Sequence, residues 1–274
     1  SSHNGMVHVR GNAMDFENWA QSGLPSWKYS NVLPYFKKSE SVSGLDNKFR
    51  NESGPLKLSR SSNGSELSKV YLNAAEQAGY EINNDMNGFK QEGFGLMDTT
   101  IFEGKRQSTS VTYLNPAKKR ENLTIITNCF VKNIIIENDF AKGIECVYRN
   151  KNYKFIATEE TIVSAGAINS PQLLMLSGIG PENELKNLDI KVHHNLNGVG
   201  KNLQDHLETY LQYECKKPVT LYSSYNPIKM ALIGIEWFLF KSGTAAHSNL
   251  ETGGFVRSNN LVDYPNIQYH FFPS

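Results

Sequence analysis

The chain reads as an α/β protein with an α+β part, and three stretches carry that reading. Ile156–Pro181, IATEETIVSAGAINSPQLLMLSGIGP, passes from a strand-like segment through a small-residue turn into an apolar helix, the pattern of a βα unit. Before it, Leu123–Ile136 and Gly143–Ile156 supply runs of β-branched residues that fit an antiparallel meander. After it, from Leu207 on, long alternating and helical segments start a second kind of architecture, a sheet accompanied by helices.

Taken in order, residues 1–11, SSHNGMVHVRG, are small and polar and then apolar. In residues 12–40 Asp15, Trp19, Trp27, Tyr29, Leu33, Tyr35 and Phe36 predict two short helices packed through aromatics and punctuated by Pro25 and Pro34. Residues 41–53 are a polar, turn-rich loop, and Pro55–Leu58 alternates as a strand. Ser65 or Ser68 caps a helix bearing Val70, Leu72, Ala74, Ala75 and Ala78 that stops at Gly79. The glycine-rich run DMNGFKQEGFGLMDTT then leads into a strand. Gly104–Leu114 is a turn before an apolar start, with Lys105 and Arg106 read as a solvated face.

Leu123–Ile136 reads as two strand-like runs, followed by a hairpin of Gly143–Val147 and Tyr153–Ile156 with NKN between them. Glu160–Val163 is expected to be a short buried strand. Ala165 and Gly166 have so little side chain that a ligand can approach the backbone. Ser170 is expected to cap the next helix and Pro171 to open it, leaving free N–H groups at a positive helix end where an anionic group would sit. Leu185–Val192 reads as a short helix and a strand, and Asp205 with His206 as a hydrogen-bonded pair that fixes a loop. Residues 228–240 read as a core helix, with a membrane-surface patch of Trp237, Phe238 and Phe240 as the minor alternative.

Composition narrows the function. The chain of 274 residues has room for one or two domains, and its 39% hydrophobic content is that of a globular protein. A net charge of +1 gives no argument for a nucleic-acid partner. Cys129, Cys146 and Cys215 are too few and too scattered for a disulfide framework or a metal cluster. The most apolar run, Met230–Phe240, is short and interrupted by Glu236. The opening on Ser1, with no signal-peptide pattern, and the end on an unfinished strand predict a fragment of a longer protein.

GAINSPQLLMLSGIG, residues 166–180, resembles the second signature of the glucose-methanol-choline (GMC) oxidoreductases, and SSHNGMVHVRG resembles the tail of their first. LNGVGKNLQDH resembles a further family segment, with Asn197 where proline is usual. The resemblance implies an FAD-dependent enzyme that oxidises alcohols. It also implies the GMC two-domain fold, here incomplete, in which a βαβ FAD-binding domain is interleaved with an antiparallel-sheet substrate domain. On that pattern residues 1–55 and 101–210 belong to the FAD-binding domain, and 56–100 and 211–274 to the substrate domain.

The same resemblance assigns site residues. His3, Asn4, Gly5 and Met6 would run along the flavin, Val131 would meet adenine through its backbone in a short turn at Asn128–Val131, and Ala165 and Gly166 would lie against the cofactor. A histidine in a Ser-Ser-His-Asn run is the residue that some members link covalently to FAD, so His3 is a candidate anchor. GTAAHSNLETGGFVRS and PNIQYHFFPS resemble the choline-oxidising dehydrogenases, in which the residue matching Glu251 holds the trimethylammonium head. The implied reaction is choline to betaine aldehyde. Its catalytic histidine, with a second His or Asn, is expected in a C-terminal segment outside these residues, so no catalytic residue is assigned and the 274-residue piece alone is expected to be inactive.

The implied partners are choline or a similar small alcohol and a respiratory quinone or other electron acceptor. A cytoplasmic protein, or one peripheral on the inner face of the membrane, and a homo-oligomer are compatible with the reading. Another primary alcohol as substrate, a choline oxidase, and an inactive choline-binding protein remain as alternatives.

Overall fold

The computed structural model describes residues 4–60 and 65–274, which form two compact units, Ser1–Arg120 with Tyr213–Ser274 and Glu121–Gln212. The first unit begins with β1 (Val7–His8) and α1 (Ala13–Gln21). Asn12 caps α1 by accepting from the Met14 N–H, while Asp15 accepts from the Asn12 N–H, a reciprocal pair that satisfies two helix-end donors. α2 (Tyr29–Ser39) follows, and Phe16 packs edge-on against Trp19 and Phe36, so the aromatic helix pair expected from sequence forms. Pro34 does not end a helix as expected. It sits inside α2, with residues on both sides helical.

Short strands β2 (Glu40–Ser41), β3 (Leu56–Lys57) and β4 (Ser59–Arg60) come next, with β2 and β3 parallel. Ser65 caps α3 (Glu66–Gln77) through the Ser68 N–H, and Gly79, at φ +86°, follows the helix end, both as read from sequence. β5 (Gly93–Leu96) and β6 (Asp98–Thr99) follow, and β6 lies between β1 and β4 in a three-stranded sheet. β7 (Ile101–Phe102) and β8 (Lys105–Arg106) form a tight hairpin over Glu103 and Gly104. Those two turn residues both have positive φ, the geometry that matches strand twist. A π-helical turn, Ser110–Leu114, runs into α4 (Asn115–Ala117).

The second unit is built on an antiparallel meander of β9 (Cys129–Glu137), β10 (Phe140–Tyr148) and β11 (Lys151–Ile156), in order β11-β10-β9. Its turns fall at Asn138–Asp139 and Arg149–Asn150, all four residues at positive φ, so the second turn starts one residue earlier than expected. Residues 123–127 and 160–163 do not form the expected strands. They pair with no strand among the described residues, and Ile162 is 77% exposed. α5 (Gly166–Leu176) starts a turn earlier than expected, at Gly166 rather than after Ser170. Ser170 and Pro171 therefore lie within α5, and the Ser170 hydroxyl accepts instead from the Ala165 N–H at 3.0 Å. β12 (Ile179–Gly180), α6 (Glu182–Asn187) and β13 (His194–Asn195) complete the unit, with β12 and β13 parallel.

Back in the first unit, Asn226 caps α7 (Pro227–Phe240) by accepting from the Ile228 and Lys229 N–H groups. Most of its apolar residues are exposed, so α7 is not the core helix that its composition predicts. No described helix is long and apolar enough to cross a membrane. β14 (Thr252–Val256) and β15 (Ile267–Phe271) join β5 in a sheet of order β15-β14-β5. Phe94, Ala75 and Val256 form one buried cluster of this unit, and Met86, Met97 and Phe255 another.

Candidate functional site

Asn4, Gly5 and Met6 make a clamped turn at the start of the first unit. Met6 has φ +67°, an unusual conformation for a residue with a side chain, and needs surrounding contacts to hold it. Those contacts are present. Asn4 Oδ1 accepts from the Met6 N–H at 2.8 Å, and Met6 O accepts from the Thr100 N–H at 2.7 Å and from its hydroxyl at 3.3 Å. The Ser248 hydroxyl donates to Gly5 O at 2.7 Å, and a Cβ on Gly5 would come within 2.9 Å of Leu250 Cδ1. Arg106 donates to both carbonyl oxygens of Asn4, through Nη1 and Nη2 to O at 3.3 and 3.2 Å and through Nη1 to Oδ1 at 3.2 Å. Asn4 and Gly5 nevertheless keep an exposed side. His3 lies outside the described residues.

Glu251 closes the segment that touches this turn. Leu250 lies against Gly5, and the next residue, half-buried Glu251, directs Oε2 to the Ser65 N–H at 2.6 Å and the Ser68 hydroxyl at 2.9 Å. The carboxylate thus sits at the positive N-terminal end of α3. A partly buried carboxylate needs a compensating charge or donor. In the structure the helix end supplies compensation to one oxygen. Within the first unit, Ser248–Glu251 brings Asn4, Gly5, Met6 and Glu251 into one neighbourhood.

Behind the turn, β1 and β6 rest on a buried lattice of charges. Arg50 Nε meets Glu40 Oε1 at 2.8 Å and its Nη2 meets Asp98 Oδ2 at 2.6 Å, while Nη1 contacts Asp85. Arg10 reaches Glu40 at 2.7 Å and Arg60 reaches Asp98 at 2.7 Å. Burial alone would push Glu40 up, but the His8 imidazole and the Arg50 and Arg10 guanidinium groups outweigh it and bring the carboxyl down to about 2. Burial works against the ionised form of Asp98 as well, and Arg50 and Arg60 hold it below the usual carboxylate range. β6 begins in this lattice at Asp98 and leads directly into Thr100 of the clamp.

The remaining predicted residues fall in the second unit. Val131 is half-buried within β9, opposite Cys146 of β10, and not in the short turn Asn128–Val131 that the family resemblance implied, because the β9 ladder with β10 already starts at Cys129. Ala165 and Gly166 are exposed at the start of α5, which has no side-chain cap. Gly166 has φ +92°, and nothing lies within 4 Å of where its Cβ would be, so the backbone there is open to a neighbouring group. An FAD fits these features taken unit by unit. The open Gly166 with its uncapped helix end suits an anionic group, and the clamped turn offers a fixed, exposed edge to a planar ring. The residue that sequence reasoning passed over is Arg106. Its signals were its place after the Gly104 turn, which reads equally well as surface, and the family resemblance, which puts the Arg and Ser residues of this segment on the active-site side without giving them a role.

The GMC oxidoreductase family matches residues 1–208, and the chain belongs to that family. Among curated relatives it is 47% identical over 274 residues to the mitochondrial choline dehydrogenase of Homo sapiens, all of this chain against 46% of that one. It is also 47% identical over 274 residues to the oxygen-dependent choline dehydrogenase of Brucella ovis, all of this chain against 50% of that one. The chain thus spans about half the length of the curated relatives it matches. Among solved structures, an FAD-dependent oxidoreductase from Chaetomium thermophilum aligns with TM-score 0.80 and 27% identity, over 92% of this chain and 47% of its own. A formate oxidase aligns with TM-score 0.81 and 25% identity, over 93% of this chain and 46% of its own. The mixed α/β architecture is accordingly that of the GMC oxidoreductases.

Proposed function

We propose that the complete protein is an FAD-dependent choline dehydrogenase that oxidises choline to betaine aldehyde. One observation carries the reading: Ser248–Glu251 joins the clamped Asn4–Met6 turn to a half-buried carboxylate. FAD, when bound, supplies the hydride acceptor for the alcohol carbon. Asn4, Gly5 and Met6 orient the ring, the Val131 backbone reads adenine's edge, and Ala165 and Gly166 receive a group at the start of α5. Glu251 holds the trimethylammonium head by charge, with Oε2 fixed on α3. No residue of this chain is assigned as the base. Residues 1–55 and 101–210 serve the cofactor, and 56–100 and 211–274 the substrate.

The test is Glu251→Gln in the complete gene product. Glutamine keeps an acceptor oxygen for Ser65 and Ser68, so the α3 contact survives while the charge is lost. KM for choline rises at least about tenfold, roughly 1.4 kcal/mol, while KM for the neutral tert-butyl isostere of choline stays near the wild-type value. Equal effects on the two substrates would sink the assignment of Glu251, and turnover of other primary alcohols in preference to choline would favour a different GMC dehydrogenase.

The Ser-Ser-His-Asn run supports a covalent flavin link at His3. We assign the electrons to a respiratory quinone or another electron acceptor, with the protein cytoplasmic or peripheral at the membrane's inner face. Comparing reduction of a quinone analogue with reduction of oxygen decides the acceptor, and a strict preference for oxygen would favour the choline oxidase alternative.

A further inference from the structure

We infer that Arg106 is the positioning residue of the flavin-contacting turn, holding the main-chain and amide oxygens of Asn4 in place and keeping a permanent positive charge beside them. The inference deepens the flavoprotein reading and rests on it.

The argument starts from the amide. Oδ1 of Asn4 faces two donors, the Met6 N–H at 2.8 Å and Arg106 Nη1 at 3.2 Å. Two donors demand an oxygen there, because the amide nitrogen carries only hydrogens to offer. Oδ1 is therefore locked between these two donors. The main-chain oxygen of Asn4 is held by the same guanidinium, through both Nη1 and Nη2. A planar, permanently charged fork can hold two carbonyl oxygens of one residue at once, and a lysine ammonium offers no such fixed plane.

The hairpin that carries Arg106 is tied to the same turn. Ile101 pairs with Arg106 in the β7–β8 ladder, and the Gln107 N–H donates to Thr100 O at 2.8 Å. Thr100 in turn donates to Met6 O. Arg106 and Thr100 thus grip opposite ends of one three-residue turn from one hairpin. Lys105, next to Arg106, is exposed and carries the same charge. It serves as the internal control.

The ligand chemistry follows. A turn held rigid and backed by a cation suits a ring edge that gains negative charge on reduction. Arg106 thereby favours the reduced flavin and raises its potential.

The experiment compares complete protein carrying His3→Ala, in which FAD exchanges freely, with the same protein carrying in addition Arg106→Gln, Arg106→Lys or Lys105→Gln, reading FAD affinity, the visible flavin spectrum and the midpoint potential. Arg106→Gln is expected to weaken FAD binding about tenfold or more, the scale of a lost charged hydrogen bond, and to lower the potential. Arg106→Lys restores the potential, since the charge remains, but not the affinity, since the fork is gone. Lys105→Gln leaves all three readouts at the His3→Ala values. Should Arg106→Gln fail to fold, Arg106→Lys decides: weakened FAD binding at the His3→Ala potential supports the inference. The His3→Ala affinity in a folded Arg106→Lys protein, or an equal drop in potential in Lys105→Gln, overturns it. A wild-type protein without flavin refutes the flavoprotein reading itself and takes this inference with it.

Discussion

Glu40 is the residue on which the first unit's buried charges turn. Fully buried at the start of β2, it faces Arg10 and Arg50 at 2.7 and 2.8 Å and His8 at 3.5 Å. Its carboxyl lies at about 2 in the folded state against an ordinary 4.5, so the folded protein favours the ionised form. The lattice contribution is therefore complete above about pH 4.5 and is lost as pH falls toward 2. Asp98, also held low, adds to the loss in the same direction. Urea unfolding should give a stability that is flat near neutrality and drops through that acid window. Glu40→Gln leaves two buried guanidinium groups short of a counter-charge, which costs about 3–5 kcal/mol at neutral pH, and it flattens the acid dependence. A variant as stable as the wild type, with the same acid profile, would show that the lattice is neutral to folding.

At the scale of elements, local chemistry was legible and non-local pairing was not. Ser65 was readable as a cap because its partner, the Ser68 N–H, lies three residues away. The Ser170–Pro171 pair misled because a serine can also bond backward, as Ser170 does to the Ala165 N–H, so that the helix starts at Gly166. Residues 123–127 and 160–163 have the β-branched composition of strands, but a strand needs a ladder partner, and no partner among the described residues pairs with them. The Asn4–Met6 and Glu251 assignments came from resemblance. What resemblance did not carry was their meeting through Ser248 and Leu250, or the grip of Arg106 on Asn4.

The meander offers a sharp elemental test. Gly143 has φ +150°, sits at a register shift of the β9–β10 ladder, and would place a Cβ 1.9 Å from Phe155 O of β11. That neighbour is backbone within a ladder and has nowhere to move. Gly143→Ala should cost roughly 3 kcal/mol or more, read as a lower Tm and as faster hydrogen exchange across β10 and β11. Exchange as slow as in the wild type would mean that the bulge relaxes around the methyl group.

For the whole molecule the deciding question is how the cofactor is retained once the fold is gone. Every non-covalent contact proposed for FAD, at Asn4, Gly5, Met6, Val131, Ala165 and Gly166, depends on backbone geometry and vanishes on unfolding. A bond from the His3 imidazole to the flavin methyl carbon does not. Neutral imidazole is nucleophilic near neutral pH, and the link would replace one methyl C–H, with protons lost from the methyl and the imidazole and the two electrons taken up by the flavin and passed on to the enzyme's electron acceptor. The complete gene product, purified and then acid-denatured, is expected to keep its yellow colour in the pellet, and His3→Ala to release free FAD into the supernatant. Free FAD from the wild type would remove the covalent link and leave the dehydrogenase reading standing, because the clamped turn and Glu251 do not depend on it. Protein that carries no flavin in either fraction would defeat the enzymatic reading as a whole, since the alcohol's hydride would then have no acceptor.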